Sequence, residues 1–238
     1  MDVSVVIPAY NEARRLPLTL DGWLAFFARQ SYAAEVLVVD DGSRDATAAV
    51  VRAMAAAQPG LRLLQLGANQ GKGAAVRAGM LAAAGARIFY ADADLNVSPA
   101  HLVPFLALLD GGYDVVIGTR STRQYSATER SVGRVLAGLL VQVVRRSVLL
   151  PVFRDTQCGF KGFRREAARA IFGACTIAGF AFDLEVLFLA RKLGYRVAEV
   201  PVRVERREGS TYSPGRHLLP FVRDILRVRW HDLRGRYG

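Results

Sequence analysis

A chain of 238 residues in which 52% are hydrophobic and 22% charged can bury a sizeable core, which excludes a disordered basic tail. Its net charge of +11 is one-sided: residues 1–119 hold 9 basic and 11 acidic side chains, whereas residues 120–238 hold 23 and 10. A near-neutral half followed by a strongly positive one implies an anionic partner for the second half.

In chain order, residues 3–7 form an apolar run that reads as a buried first strand, and with no basic leader before it a secretory signal is not expected. Residues 35–39, 61–66, 87–91 and 114–118 repeat that pattern, separated by helical periodicity at 45–57, 74–84 and 99–109. This is the rhythm of βαβ units around a mostly parallel sheet. Ser98-Pro99 supplies a helix cap and a first-turn proline, and Gly111-Gly112 ends that helix. Beyond Gly118 the pattern changes to a polar connection, a basic and apolar helix over 130–150, a loop, a helix over 183–192 and a strand over 196–200. A last amphipathic helix spans 218–230 and interleaves Arg223, Arg227 and Arg229. The ten apolar-rich residues 135–144 fall well short of the ~20 that cross a bilayer, so surface attachment is the membrane contact left open. The helices over 132–150 and 218–230 suit an interface, and the same stripes suit closing the core. Two cysteines, Cys158 and Cys175, are too few for a disulfide scaffold or a thiolate cluster, and both are expected to be reduced.

Ligands of open α/β sheets bind beyond the carboxyl ends of the strands, and polar residues recur there. Tyr10 and Glu12 follow the first strand, Asp40 and Asp41 the second, and Asp92, Asp94 and Asn96 the fourth. Two carboxylates one residue apart can converge on a hard cation while diphosphate oxygens complete its shell; the same pair can equally cap a turn. Asp41 can accept from a base or ribose while Ser43 caps the next helix, and Asp40 is divided between a ligand and a turn role. Gly71-Lys72-Gly73 departs from both the Walker and the dinucleotide spacings, which leaves a tight turn at a helix start with Lys72 near phosphate. Arg130 and Arg134 share a helix face four residues apart, and Arg120 precedes them. Asp155, Lys161 and the amide of Gln157 cluster around Gly159, and sequence spacing leaves their roles open.

These stretches occur in an order that resembles family 2 glycosyltransferases of the GT-A fold, in particular the dolichyl-phosphate or polyprenyl-phosphate β-glucosyltransferases, with the dolichyl-phosphate mannose synthases as near relatives. The carrying segments lie at 5–12, 39–43, 69–73, 92–95, 155–161 and 180–185. The resemblance implies a single sheet flanked by helices. It also implies base and ribose contacts at Pro8, Tyr10, Glu12, Asp40 and Asp41, a donor pocket reaching Lys72, Asp92 and Ala93, and Mg2+ or Mn2+ on Asp94 with Asp92 and Asn96 assisting. Arg120, Arg130 and Arg134 match an arginine set near the diphosphate or the acceptor phosphate. Asp155, Lys161 and Asp183 join the catalytic group, with Glu185 secondary. The implied reaction is inverting transfer of a hexose, glucose from UDP-glucose in first place, to a polyprenyl phosphate. GDP-mannose as donor and a soluble or polysaccharide acceptor are the alternatives.

The expected division is a catalytic domain over 1–205, with a nucleotide-sugar half 1–119 and an acceptor half 120–205, followed by a basic extension over 206–238. The expected location is the cytoplasm, peripherally on the membrane's cytoplasmic face. A nucleic-acid-binding protein or a non-catalytic membrane scaffold is the alternative of another class. No base-reading motif accompanies the basic half, however, and acidic loops would repel a nucleic-acid backbone.

Overall fold

The computed structural model describes residues 1–120, 153–204 and 214–237. The helix expected over 130–150, together with Arg130 and Arg134, lies outside these residues. Among the described residues seven strands form one sheet: β1 (Val3–Ala9), β2 (Ala34–Asp40), β3 (Leu61–Gln65), β4 (Arg87–Ala91), β5 (Val115–Arg120), β6 (Phe160–Arg164) and β7 (Val197–Val202). Their order is β3-β2-β1-β4-β6-β5-β7. All neighbours are parallel except β6, which runs antiparallel between β4 and β5. The helices are α1 (Leu16–Phe27), α2 (Thr47–Ala55), α3 (Lys72–Ala82), α4 (Leu102–Asp110), α5 (Arg165–Ala174), α6 (Phe182–Lys192) and α7 (Pro214–Leu233).

The runs at β1 and β2 are apolar on both faces because the sheet is covered on both sides. Val5 and Ile7 face a core with Leu16, Leu20, Trp23, Val51 and Phe105 from α1, α2 and α4. Val6 between them faces the opposite core, with Val76, Phe172, Phe182, Ile225 and Val228 from α3, α5, α6 and α7. Each fully buried Leu or Phe contributes roughly 1.5–3 kcal/mol over leaving it in water. The last helix is therefore part of the main core on one side, and its other side stays exposed at Leu226, Trp230 and Leu233. Among the described residues no helix is long and apolar enough to cross a membrane.

The cap at Ser98 forms as its sequence suggests: its Oγ accepts from the Ala100 N–H, ahead of a short 3-10 turn that leads into α4. Ser43 does something else. Its hydroxyl accepts the Asn11 N–H at 2.9 Å, and Asp45 takes the Thr47 N–H at the start of α2. The loops after β1 and β2 are thereby tied together across the edge of the sheet. From β1 the strand order proceeds through β2 and β3 in one direction and through β4 in the other. The ends of β1 and β4 flank this switch point, where the crevice of an open α/β sheet opens.

Candidate active site

A cleft of about 500 Å3 opens at that switch point. The end of β1 contributes Pro8, Tyr10 and Glu12, the loop after β4 contributes Asp92, Ala93 and Asp94, and the start of α3 contributes Gly71 and Lys72. Arg15, Asn69 and Phe180 complete the wall; Asn69 and Phe180 open two of the segments that carry the family resemblance, and Arg15 lies outside them. Arg15 grips Glu12 with two nitrogens, an i,i+3 pair at the start of α1. Tyr10, 40% exposed, offers a ring at the mouth. Two loop residues hold left-handed backbone, Asn11 at φ 56° and Leu95 at φ 51°, the kind of local strain that collects at ligand clamps. The Thr19 hydroxyl of α1 fixes the second loop by donating to the Ala93 carbonyl at 2.7 Å.

Adjacent aspartates divide the labour at the end of β2. Asp41 lines the cleft and accepts the N–H groups of Gln70 (2.8 Å) and Gly71 (2.9 Å) and the Asn69 amide (3.1 Å), so it builds the loop before α3. Asp40 is buried away from the cleft, where it accepts the Ser43 N–H and the Gln65 side-chain amide. The fold thus brings Asp41 to the cleft and leaves Asp40 to hold the turn.

Lys72 donates to Asp92 at 2.6 Å. Burial works against its charge, but Asp92, Asp183 and Asp94 outweigh that and hold the ammonium above its ordinary pKa. Asp94 moves up from the usual carboxylate range, first through burial and then through Asp92. A partly buried carboxylate next to another suits a cation at that point. Among the described residues no group of three or more His, Cys, Asp or Glu could hold a metal. Asn96 donates its side-chain amide to Asp94 and so orients that carboxylate.

Asp92 and Asp94 also line a second, smaller cavity of about 80 Å3, with Asn96, Arg120, Gln157, Cys158 and Gly159. Arg120 meets Asp155 through Nε (2.6 Å), Nη2 (3.0 Å) and its backbone N–H (3.1 Å). Burial would raise the pKa of Asp155, but Arg120 and the Gln157 N–H more than offset it, so Asp155 stays ionised below the usual range. Asp155 therefore acts on the cavity by aiming Arg120. Cys158 is a free buried thiol pushed up to about 11 by burial, unsuited to nucleophilic work at neutral pH.

Beneath the acidic loop lies an ion pair in the interior. Lys161, with no exposed surface, donates to Asp183 at 2.5 Å and to the Cys158 carbonyl at 2.6 Å, while the Tyr90 hydroxyl donates to Asp183 at 2.5 Å. Lys161 and Asp183 do not line either cavity; they brace β4, β6 and α6 behind it. Glu185 lies on another side of α6 and is likewise enclosed, accepting from Thr176, Ile177 and Tyr237.

An acidic-loop cleft at the switch point of this sheet, with one antiparallel strand, places the protein among glycosyltransferases of the GT-A fold. The chain belongs to glycosyl transferase family 2, whose domain matches residues 4–172. It is 35% identical to a dolichyl-phosphate beta-glucosyltransferase of Dictyostelium discoideum over 98% of this chain and 75% of that protein. It is 37% identical to the Drosophila melanogaster protein of that name over 96% and 74%. In fold it resembles glucosyl-3-phosphoglycerate synthase from Mycobacterium tuberculosis, solved with Mn2+, UDP-glucose and phosphoglyceric acid, with a TM-score of 0.70 and 22% identity over 100% of this chain and 80% of the other.

Proposed function

We propose that the protein transfers glucose from UDP-glucose to a polyprenyl phosphate of the dolichyl type, with inversion, in the presence of Mg2+ or Mn2+. The observation that carries this reading is that Asp92 and Asp94 line both cavities, so a nucleotide sugar in the large cleft and a phosphate in the small one meet at the same pair of carboxylates. The names of the relatives at 33–37% identity supply the sugar and the lipid.

In this mechanism the base and ribose lie along Pro8, Tyr10, Glu12 and Asp41, and Lys72 stands at the diphosphate. Asp94 and Asp92 would hold the metal, which would offset charge on the departing diphosphate. Arg120, aimed by Asp155, holds the acceptor phosphate; the family resemblance assigns Arg130 and Arg134, outside the described residues, to the same task. A phosphate monoester is already anionic near neutral pH, so its oxygen attacks the anomeric carbon without a strong general base, and positioning and charge stabilisation supply most of the effect. The enclosure of Asp183 and Glu185 supports this over a hydroxyl acceptor, because both carboxylates are engaged by interior donors. The exposed side of α7, with Leu226, Trp230 and Leu233 beside Arg223, Arg227 and Arg234, suits peripheral contact with anionic lipid at the cytoplasmic face of a membrane.

Incubation with labelled UDP-glucose, polyprenyl phosphate and Mg2+ should give a labelled lipid, and binding to anionic vesicles should exceed binding to neutral ones. No transfer to any lipid phosphate from any common sugar nucleotide would reject the reading.

A further inference from the structure

Glu185 has no exposed surface, yet it collects donors from two separate parts of the chain. It accepts the backbone N–H groups of Thr176 (2.9 Å) and Ile177 (2.8 Å), the Thr176 hydroxyl (2.7 Å) and the Tyr237 hydroxyl (2.6 Å). His231 of α7 adds its Nδ1 at 3.0 Å from the Thr176 hydroxyl. The chain held here runs straight to the cleft. The Ala178 carbonyl accepts the N–H groups of Gly73 (2.8 Å) and Ala74 (3.3 Å), which open α3 immediately after Lys72. Phe180, two residues later, lines the cleft itself.

The packing along this route has little slack. A Cβ on Gly71, whose φ is 104°, would fall 2.5 Å from the Ala178 oxygen, and one on Gly73 would fall 2.5 Å from the Ile177 oxygen. A displacement of residues 176–178 therefore passes to the first turn of α3 and to Lys72. At its other end the network is fixed by Tyr237, 4% exposed, whose ring packs against Phe188 and His231.

We infer that Tyr237, with His231 and Thr176, is a positioning group for the nucleotide side of the cleft, acting through Glu185 on residues 176–180 and the start of α3. The inference rests on reading that cleft as the donor site. Tyr237 touches neither cavity, so its effect is carried by the hydrogen bond to a buried carboxylate, which a ring without a hydroxyl cannot make.

The test uses the whole chain and the variants Tyr237→Phe and Thr176→Val, each of which removes one hydroxyl and keeps the packing volume. In the ligand-free protein, amide hydrogen exchange over 176–180 and the first turn of α3 should accelerate in both variants. Titration with UDP and Mg2+ should show Kd raised about fivefold, the lower end of coupling between separate sites, and KM for UDP-glucose should rise with it while KM for polyprenyl phosphate stays within twofold. A lowered Tm with unchanged exchange and unchanged UDP affinity would overturn the inference by making the network purely structural. If the wild-type protein binds no UDP, the reading of the cleft falls, and the inference falls with it. If the wild type binds UDP and both variants bind it equally well, the inference fails by itself.

Discussion

Replacing Gly159 with alanine should separate catalysis from stability. A Cβ at this position would lie 2.0 Å from Asp92 Oδ2, 2.4 Å from its Cγ and 2.7 Å from Oδ1. Ordinary contact begins near 3.4 Å, so the carboxylate must retreat by about 1.4 Å. It is the end of a short side chain, 38% exposed, and can rotate away without disturbing the core. The 2.6 Å contact with Lys72 would then exceed hydrogen-bonding range. Misplacing a group at the reacting centre by about 1 Å costs on the order of 100-fold in rate, or about 2.7 kcal/mol of transition-state stabilisation. Labelled-glucose transfer at saturating lipid would measure kcat/KM, and differential scanning fluorimetry would measure Tm. The expected result is a roughly 100-fold loss of kcat/KM with Tm almost unchanged. Activity within threefold of wild type would mean that the orientation of Asp92 does not matter and that the contact at Gly159 is incidental.

Three further outcomes follow from the same geometry. Asp94→Ala should abolish metal-dependent transfer with circular dichroism unchanged, and normal turnover would remove the role given to Asp94. Glu35 is buried, and although burial raises its pKa, Ser4, the Ala84 N–H and Arg62 together hold it below its ordinary value. Its contribution is therefore present above the unfolded-state pKa near 4.5 and is lost as pH falls through the folded value, so urea midpoints of wild type and Glu35→Gln should differ at pH 7 and converge in acid; a constant gap would contradict this. Replacing Arg130 and Arg134 with Gln should raise KM for polyprenyl phosphate more than KM for UDP-glucose, and equal changes in both would mean that the two substrates are divided wrongly between the halves of the chain.

The strands that sequence displays most clearly are those buried on both faces. β1, β2 and β4 are apolar runs because helices cover each side, and the loops at their carboxyl ends bring Tyr10, Glu12, Asp41, Asp92 and Asp94 to one cleft as their positions suggest. β6 is hidden by its own chemistry. Phe160–Arg164 carries a lysine and a glycine at its centre, which reads as a polar turn. It is a strand because Asp183 and the Cys158 carbonyl satisfy Lys161 in the interior and because Gly162 makes room for the Phe89 ring. Asp40 and Asp41 are indistinguishable by type and neighbourhood; only the register of β2 against β3, which puts Asp40 opposite Gln65, separates them. The roles of Asp183 and Glu185 depend on what α6 packs against, β4 and β6 for Asp183 and residues 176–177 with Tyr237 for Glu185, a tertiary fact with no local signal. Arg15 had one: it stands three residues after Glu12 at the entrance to a helix.

The antiparallel course of β6 decides where the two halves of the sheet are joined. A parallel strand would begin at the far edge of the sheet, but β6 begins at the working edge, where β5 ends. Arg120 and Asp155 clasp each other across that gap by three contacts. The end of β5 and the approach to β6 are thus latched at one point, beside the cavity that Arg120 lines, so the antiparallel strand ties the acidic loop after β4 to the far half of the sheet.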